Sequence, residues 1–141
     1  GFFPDKNLLN EIKKYENENI EISDCYLAAS QYYQATAEAK FLILPYLKSR
    51  YNKRTSGILL ESIYLDTPVI APHFLLEYTG LPGFGYDKLN DIESILTGIE
   101  ENKLKEIRLE MKKIREAYSF DTMKTKIKTV IECLRRPKTF L

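Results

Sequence analysis

Two short apolar runs, FLILPY at residues 41–46 and PVIAP at residues 68–72, bracket a helical segment. No other feature narrows the fold as much. Each run has strand length and carries no charge, which is how strands buried on both faces of a parallel sheet read. Pro68 opens the second run, and the first strand position can spare an N–H. Between the runs, Ser56 is placed to cap a helix that starts at Gly57 and continues to about Leu65. Ile58, Leu59, Leu60, Ile63, Tyr64 and Leu65 surround that helix with apolar surface, which predicts burial on every side. Strand, helix and strand with short connections form a βαβ unit, which builds a parallel sheet covered by helices.

The rest of the chain supplies helices. Leu8, Leu9, Ile12 and Tyr15 predict a short amphipathic helix over Lys6–Tyr15, and NIEIS at Asn19–Ser23 alternates like a strand. Residues Ala29–Ala39 are good helix formers, with Ser30 as candidate N-cap. After His73 the chain reads as irregular, and LPGFGY at residues 81–86 reads as a short edge strand. Ile92, Ile95, Leu96 and Ile99 predict a helix over residues 90–99. Leu104, Ile107, Met111, Ile114 and Tyr118 step by three and four, predicting a long helix over about 102–118. Phe120, Met123, Ile127, Val130 and Leu134 mark a last helix over about 120–135. The expected architecture is α/β, a three-layer α/β/α arrangement with a parallel sheet. One domain spans residues 1–141, and it reads as partial. A sheet of this kind normally has a strand before its first helix, which points to residues upstream of Gly1.

Composition removes several functions. Lys plus Arg is 21 against 20 Asp plus Glu, a net charge of +1, which argues against a nucleic-acid binder. The longest apolar run, Phe41 to Leu47, falls well short of the roughly 20 residues a membrane span needs. Cys25 and Cys133 stand far apart and read as reduced thiols of a cytoplasmic protein. His73 is the single histidine, and no D-x-D pattern occurs, so the chain offers no metal site of its own. Charge is nonetheless uneven: residues 1–101 carry net −6 and residues 102–141 net +7. That asymmetry reads either as solvated helix faces or as peripheral contact of the basic C-terminal helices with an acidic membrane surface or another domain.

The chemistry concentrates in KSRYNKRTSGILLE, residues 48–61. Lys48, Arg50, Lys53 and Arg54 precede a helix that opens on Thr55, Ser56 and Gly57. A helix N-terminus presents unpaired N–H groups and about half a positive charge. Gly57 lets a ligand approach the backbone. This is either an anion site, most naturally for phosphate, or ordinary capping of a structural helix. Glu61 lies on the same helix face as Gly57, one turn further in, and is the only charge in an otherwise apolar helix. Either it ion-pairs with Lys40 or Arg54, or it accepts the two hydroxyls of a sugar diol. Phosphate at the helix tip with a ribose one turn deeper fits a nucleotide.

Residues 45–72, PYLKSRYNKRTSGILLESIYLDTPVIAP, resemble the C-terminal nucleotide-sugar-binding domain of GT-B glycosyltransferases (glycosyl transferases group 1-like). That family often carries Pro-Tyr at a strand end, then Ser-Gly-x-x-x-Glu-Ala, then Gly-x-Pro-Val-Ile. Here the positions read Pro45-Tyr46, Ser56-Gly57 with Glu61-Ser62, and Asp66-Thr67-Pro68-Val69-Ile70. The resemblance covers about Tyr32–Pro72. It implies a Rossmann-like donor-binding domain, and in the whole enzyme metal-independent transfer of a sugar to a polysaccharide or lipid-linked acceptor. Glu61 would hold the ribose of a nucleoside-diphosphate sugar, and Thr55, Ser56 and Gly57 its diphosphate. Tyr46 would line the donor pocket. Lys53, Arg54 and His73 are candidate diphosphate or sugar contacts by their own charge and position, not by a match to the family. The donor is a substrate, and no cofactor is implied.

The resemblance also implies a separate N-terminal acceptor-binding domain as partner, without which these residues would be inactive. Three positions depart from the family: Lys53 stands where many relatives have a second Glu, Asp66 replaces Gly, and Ser62 replaces Ala. The alternative is a non-catalytic interaction domain that keeps the fold without a working donor site. A nicotinamide enzyme is disfavoured, since no G-x-G-x-x-G follows a strand. His73 reads either as a loop histidine hydrogen-bonded to backbone or as facing the crevice at the end of the second strand. Glu77, just beyond, reads either as a surface residue or as reaching the donor sugar.

Overall fold

The structure, a computed structural model, describes the chain except for residues 1–5, 15, 19–21, 23–26, 52–55 and 136–141. It divides into two compact units, residues 1–35 and 36–141. The first holds α1 (Lys6–Lys13) and most of α2 (Ala29–Glu38). Ser30 is not the cap of α2. The helix begins a residue earlier, and the Gln31 side chain accepts from the Ala28 N–H at 3.1 Å, so a reaching-back amide does the capping. The expected strand over 19–23 lies almost wholly outside the described residues, as does Tyr15.

The second unit is built on a three-stranded, all-parallel sheet in the order β1 (Leu42–Ile43), β2 (Val69–Pro72), β3 (Phe84–Tyr86). Leu42 pairs with Val69, Ile43 with Ile70, Ala71 with Gly85 and Pro72 with Tyr86. β2 is the central strand and all four of its residues are buried, as its unbroken apolar sequence requires. β1 is shorter and less buried than FLILPY suggests. As an edge strand it leaves Ile43 exposed, and Leu44 continues the pairing through its N–H to the Ile70 carbonyl at 2.9 Å. The Thr67 hydroxyl, buried at the entry to β2, donates to the Thr36 carbonyl at 2.8 Å.

α4 (Gly57–Leu65) connects β1 to β2, after a short helix α3 (Lys48–Tyr51) within what reads as a polar loop. Ser56 caps α4: its backbone is extended and its Oγ accepts from the Leu59 N–H at 3.3 Å. α4 is not buried on every side. Leu59, Ser62 and Ile63 face the core, whereas Ile58, Leu60 and Tyr64 are exposed. One sheet and one neighbouring helix can cover only one side of it. Leu59 joins Leu44, Val69, Ala71 and Leu75 in one core cluster, and Ile63 meets Ile107 and Met111 in a second.

The stretch after His73 is helical, not irregular. α5 (His73–Thr79) follows β2 directly and ends at Gly80, whose φ of 65° is left-handed and whose N–H returns to the Leu76 carbonyl. That is the ordinary glycine C-terminal stop. α6 (Asp91–Gly98), α7 (Glu101–Ala117) and α8 (Phe120–Arg135) fall where the apolar spacing predicts them. Leu104, Ile107 and Met111 are the buried face of α7. No helix among the described residues is long and apolar enough to cross a membrane.

Asp66 ends α4 in the left-handed conformation, at φ 60° and ψ 29°. Glycine takes this position at no steric cost, and aspartate tolerates it. Here the carboxylate is also used. Arg115 of α7 donates to Asp66 Oδ1 at 2.9 Å and to the Ile63 carbonyl at 2.9 Å, with Arg108 3.8 Å from Oδ2. The pair is partly exposed, so it contributes no more than about 1 kcal/mol. Asp66→Gly is therefore expected to be near neutral, since relief of the backbone offsets the lost contact. Asp66→Ala loses both and is expected to cost about 1–2 kcal/mol, read as the difference in urea midpoints. Equal midpoints for the two variants would contradict this account.

Candidate functional site

In parallel α/β sheets the carboxyl ends of the strands point at helix N-termini, and ligands collect there. Here a cavity of about 330 Å³ opens at that edge. Tyr46 and Lys48 reach it from beyond β1, His73 and Phe74 from beyond β2, and Tyr86 and Asp87 from the end of β3. It mixes aromatic walls with one ammonium, one imidazole and one carboxylate. A larger groove of about 510 Å³ lies among α4, α5 and α7, but Leu60, Tyr64, Tyr78 and Tyr118 line it, and no charged residue among the described ones does.

Tyr46 joins the cavity to the tip of α4. Its hydroxyl shares a 2.9 Å hydrogen bond with the buried Ser56 Oγ, and its ring stacks parallel on Tyr51 at 3.9 Å. Burial pushes the Tyr46 phenol above its usual range, against the pull of the Ser56 hydrogen bond. The Glu61 carboxylate adds a smaller push in the same direction, so its charge is felt at the Tyr46 hydroxyl. At neutral pH Tyr46 is thus an uncharged O–H group. Glu61 is half-buried, one turn inside the helix from Gly57. Among the described residues, a Cβ on Gly57 would meet nothing within 4 Å.

The third strand shapes the cavity from the other side. Tyr86 buries its ring and donates from its hydroxyl to the Leu44 carbonyl at 3.0 Å, tying the ends of β3 and β1 together across β2. Burial raises its phenol as well. Gly85 leaves room for His73: a Cβ there would run into the imidazole ring. Lys48 places its ammonium 6.0 Å from the centre of the Phe74 ring.

Of the residues expected from sequence, the structure brings Tyr46 and Ser56 into contact and places Gly57 and Glu61 on the same helical turns. His73 shares the cavity with Tyr46, whereas Ser56, Gly57 and Glu61 do not line it. Lys53, Arg54 and Thr55 lie outside the described residues. Phe74, Tyr86, Asp87 and Leu89 are cavity residues that sequence reasoning missed. The available signal was the strand at 81–86, whose carboxyl end had to open on the same edge as the other two. Among the described residues no group of three or more His, Cys, Asp or Glu is placed to hold a metal ion. No family model, no curated protein and no solved structure matches the chain.

Proposed function

We propose that the chain is the Rossmann-like donor-binding part of a GT-B glycosyltransferase and binds the nucleoside-diphosphate portion of an activated sugar. One observation carries the reading. Tyr46, at the carboxyl edge of a parallel sheet, is hydrogen-bonded to the capping Ser56 of α4, with Glu61 one turn further in. The diphosphate sits against the N–H groups at the tip of α4, where the helix dipole favours negative charge. Glu61 accepts the two ribose hydroxyls. The sugar extends toward the cavity of Lys48, His73 and Asp87. When the bond from the anomeric carbon to the diphosphate oxygen breaks, negative charge grows on the leaving diphosphate. Preorganised N–H dipoles and nearby cations stabilise it. The acceptor and its domain are supplied from elsewhere.

Calorimetric titration of UDP and GDP into the chain and its Glu61→Ala variant tests the reading. One nucleotide is expected to bind. Losing a charged hydrogen-bond partner costs about 1.5–3 kcal/mol, so Glu61→Ala weakens binding about ten- to hundredfold. Its thermal midpoint should stay close to that of the parent chain. Failure of the parent chain to bind either nucleotide leaves a site incomplete without its upstream half or an interaction domain, and the same titration on a longer chain separates the two. Lys53, at the family's second Glu position, is the residue that supports the interaction domain.

A further inference from the structure

We infer that α8 docks on an anionic lipid surface through its exposed apolar face. Phe120, Met123, Ile127 and Ile131 recur at intervals of three and four, so they share one face. All four are exposed, at 80%, 37%, 55% and 42%. Globular helices turn such a stripe inward. Tyr118, 60% exposed, extends it to the corner between α7 and α8.

The charges decide what covers the stripe. At helical spacing Lys124 and Lys128 run along one flank and Lys126 along the other. Thr122, Thr125 and Thr129 occupy the opposite side, with their hydroxyls bonded to the backbone carbonyls of Glu116, Asp121 and Thr125. Asp121 and Glu132 share the side of the threonines, away from the stripe. An apolar stripe bordered by lysines on both edges thus stands opposite a polar face, the pattern of a helix lying in a bilayer interface. Lys124 rests its ammonium 5.9 Å from the Phe120 ring, and Lys126 5.7 Å from the Tyr118 ring. Lysine stems laid along aromatic surface keep their heads at headgroup depth while the rings enter the acyl boundary. The net +7 of residues 102–141 adds longer-range attraction to an anionic surface. This docking needs nothing from the donor site.

The test is co-sedimentation of the chain with phosphatidylcholine vesicles and with vesicles that also contain phosphatidylglycerol. Binding is expected to the anionic vesicles alone and to fall with added salt. Reversing Lys124, Lys126 and Lys128 together to Glu should weaken it on the order of a hundredfold or more. Ile127→Asp should abolish it. All four side chains are exposed, so circular dichroism should be unchanged for both variants. Equal binding to neutral vesicles, binding that survives charge reversal, or no binding to either vesicle would overturn the inference. So would a concentration-dependent dimer that Ile127→Asp dissolves, since a second copy would then cover the face.

Discussion

Leu59→Ala is expected to remove about 3–5 kcal/mol of stability, the largest loss from a single truncation in α4. Leu59 is fully buried, and Leu44, Val69, Ala71 and Leu75 close around it. Its side chain therefore joins the helix to two strands and α5 at once. Removing it loses the transfer free energy of the missing carbons and leaves a cavity that a rigid sheet cannot collapse into. Domains of this size hold only about 5–15 kcal/mol in total, so the variant should be close to its unfolding threshold at 37 °C. With an unchanged slope of about 1.5–3 kcal/mol/M, the urea midpoint should fall by about 1–3 M. The neighbouring Leu60→Ala is the control. Leu60 is 44% exposed, and its loss should cost less than about 1 kcal/mol. Similar midpoints for the two variants would mean that α4 does not present the face described.

Gly85→Val should act on the site more than on the sheet. The backbone at Gly85 is ordinary strand, and valine suits a strand. The obstacle is the His73 ring, which occupies the space a Cβ would take. His73 is exposed and can swing outward, so the overpacking cost should lie toward the low end of about 1–3 kcal/mol. The cavity loses its imidazole in the process. His73 is the only histidine, so its ring protons report this without assignment work. A large shift of those proton resonances is expected in a chain that still folds. If the cavity holds the donor sugar, affinity for the nucleotide sugar should drop about three- to tenfold while affinity for the bare nucleotide is kept. Unmoved imidazole resonances would refute the close packing of Gly85 on His73.

Much of the local structure was legible in the sequence because it rests on short-range chemistry. Ser56 before a helical run, with its hydroxyl free to meet the Leu59 N–H, announces the start of α4. α7 and α8 were readable from apolar residues three and four apart, which only a helix brings to one face. PVIAP was readable as a buried strand because it is an uncharged apolar run of strand length, whereas its central place in the sheet came only with the tertiary structure. α5 was not legible, since seven residues give barely two turns of periodicity and Gly80 alone marks its end. The exposed side of α4 was illegible for a different reason. Its apolar residues lie all round, so neighbours must choose which of them to cover, and α7 and β2 cover Leu59 and Ile63.

By itself the sequence determined the βαβ core, the cap at Ser56, the long C-terminal helices and the charge division between the two parts of the chain. It also placed Glu61 one turn behind Gly57, because helical spacing alone requires that. Tertiary structure decided which distant residues meet. Tyr46 reaches Ser56, Gly85 makes room for His73, and Tyr86 crosses the sheet to Leu44, 42 residues away. Arg115 finds the left-handed Asp66 at the far end of α4. None of these pairings has a local period or turn signature. They follow from strand order and register, which are set by the summed burial of many side chains.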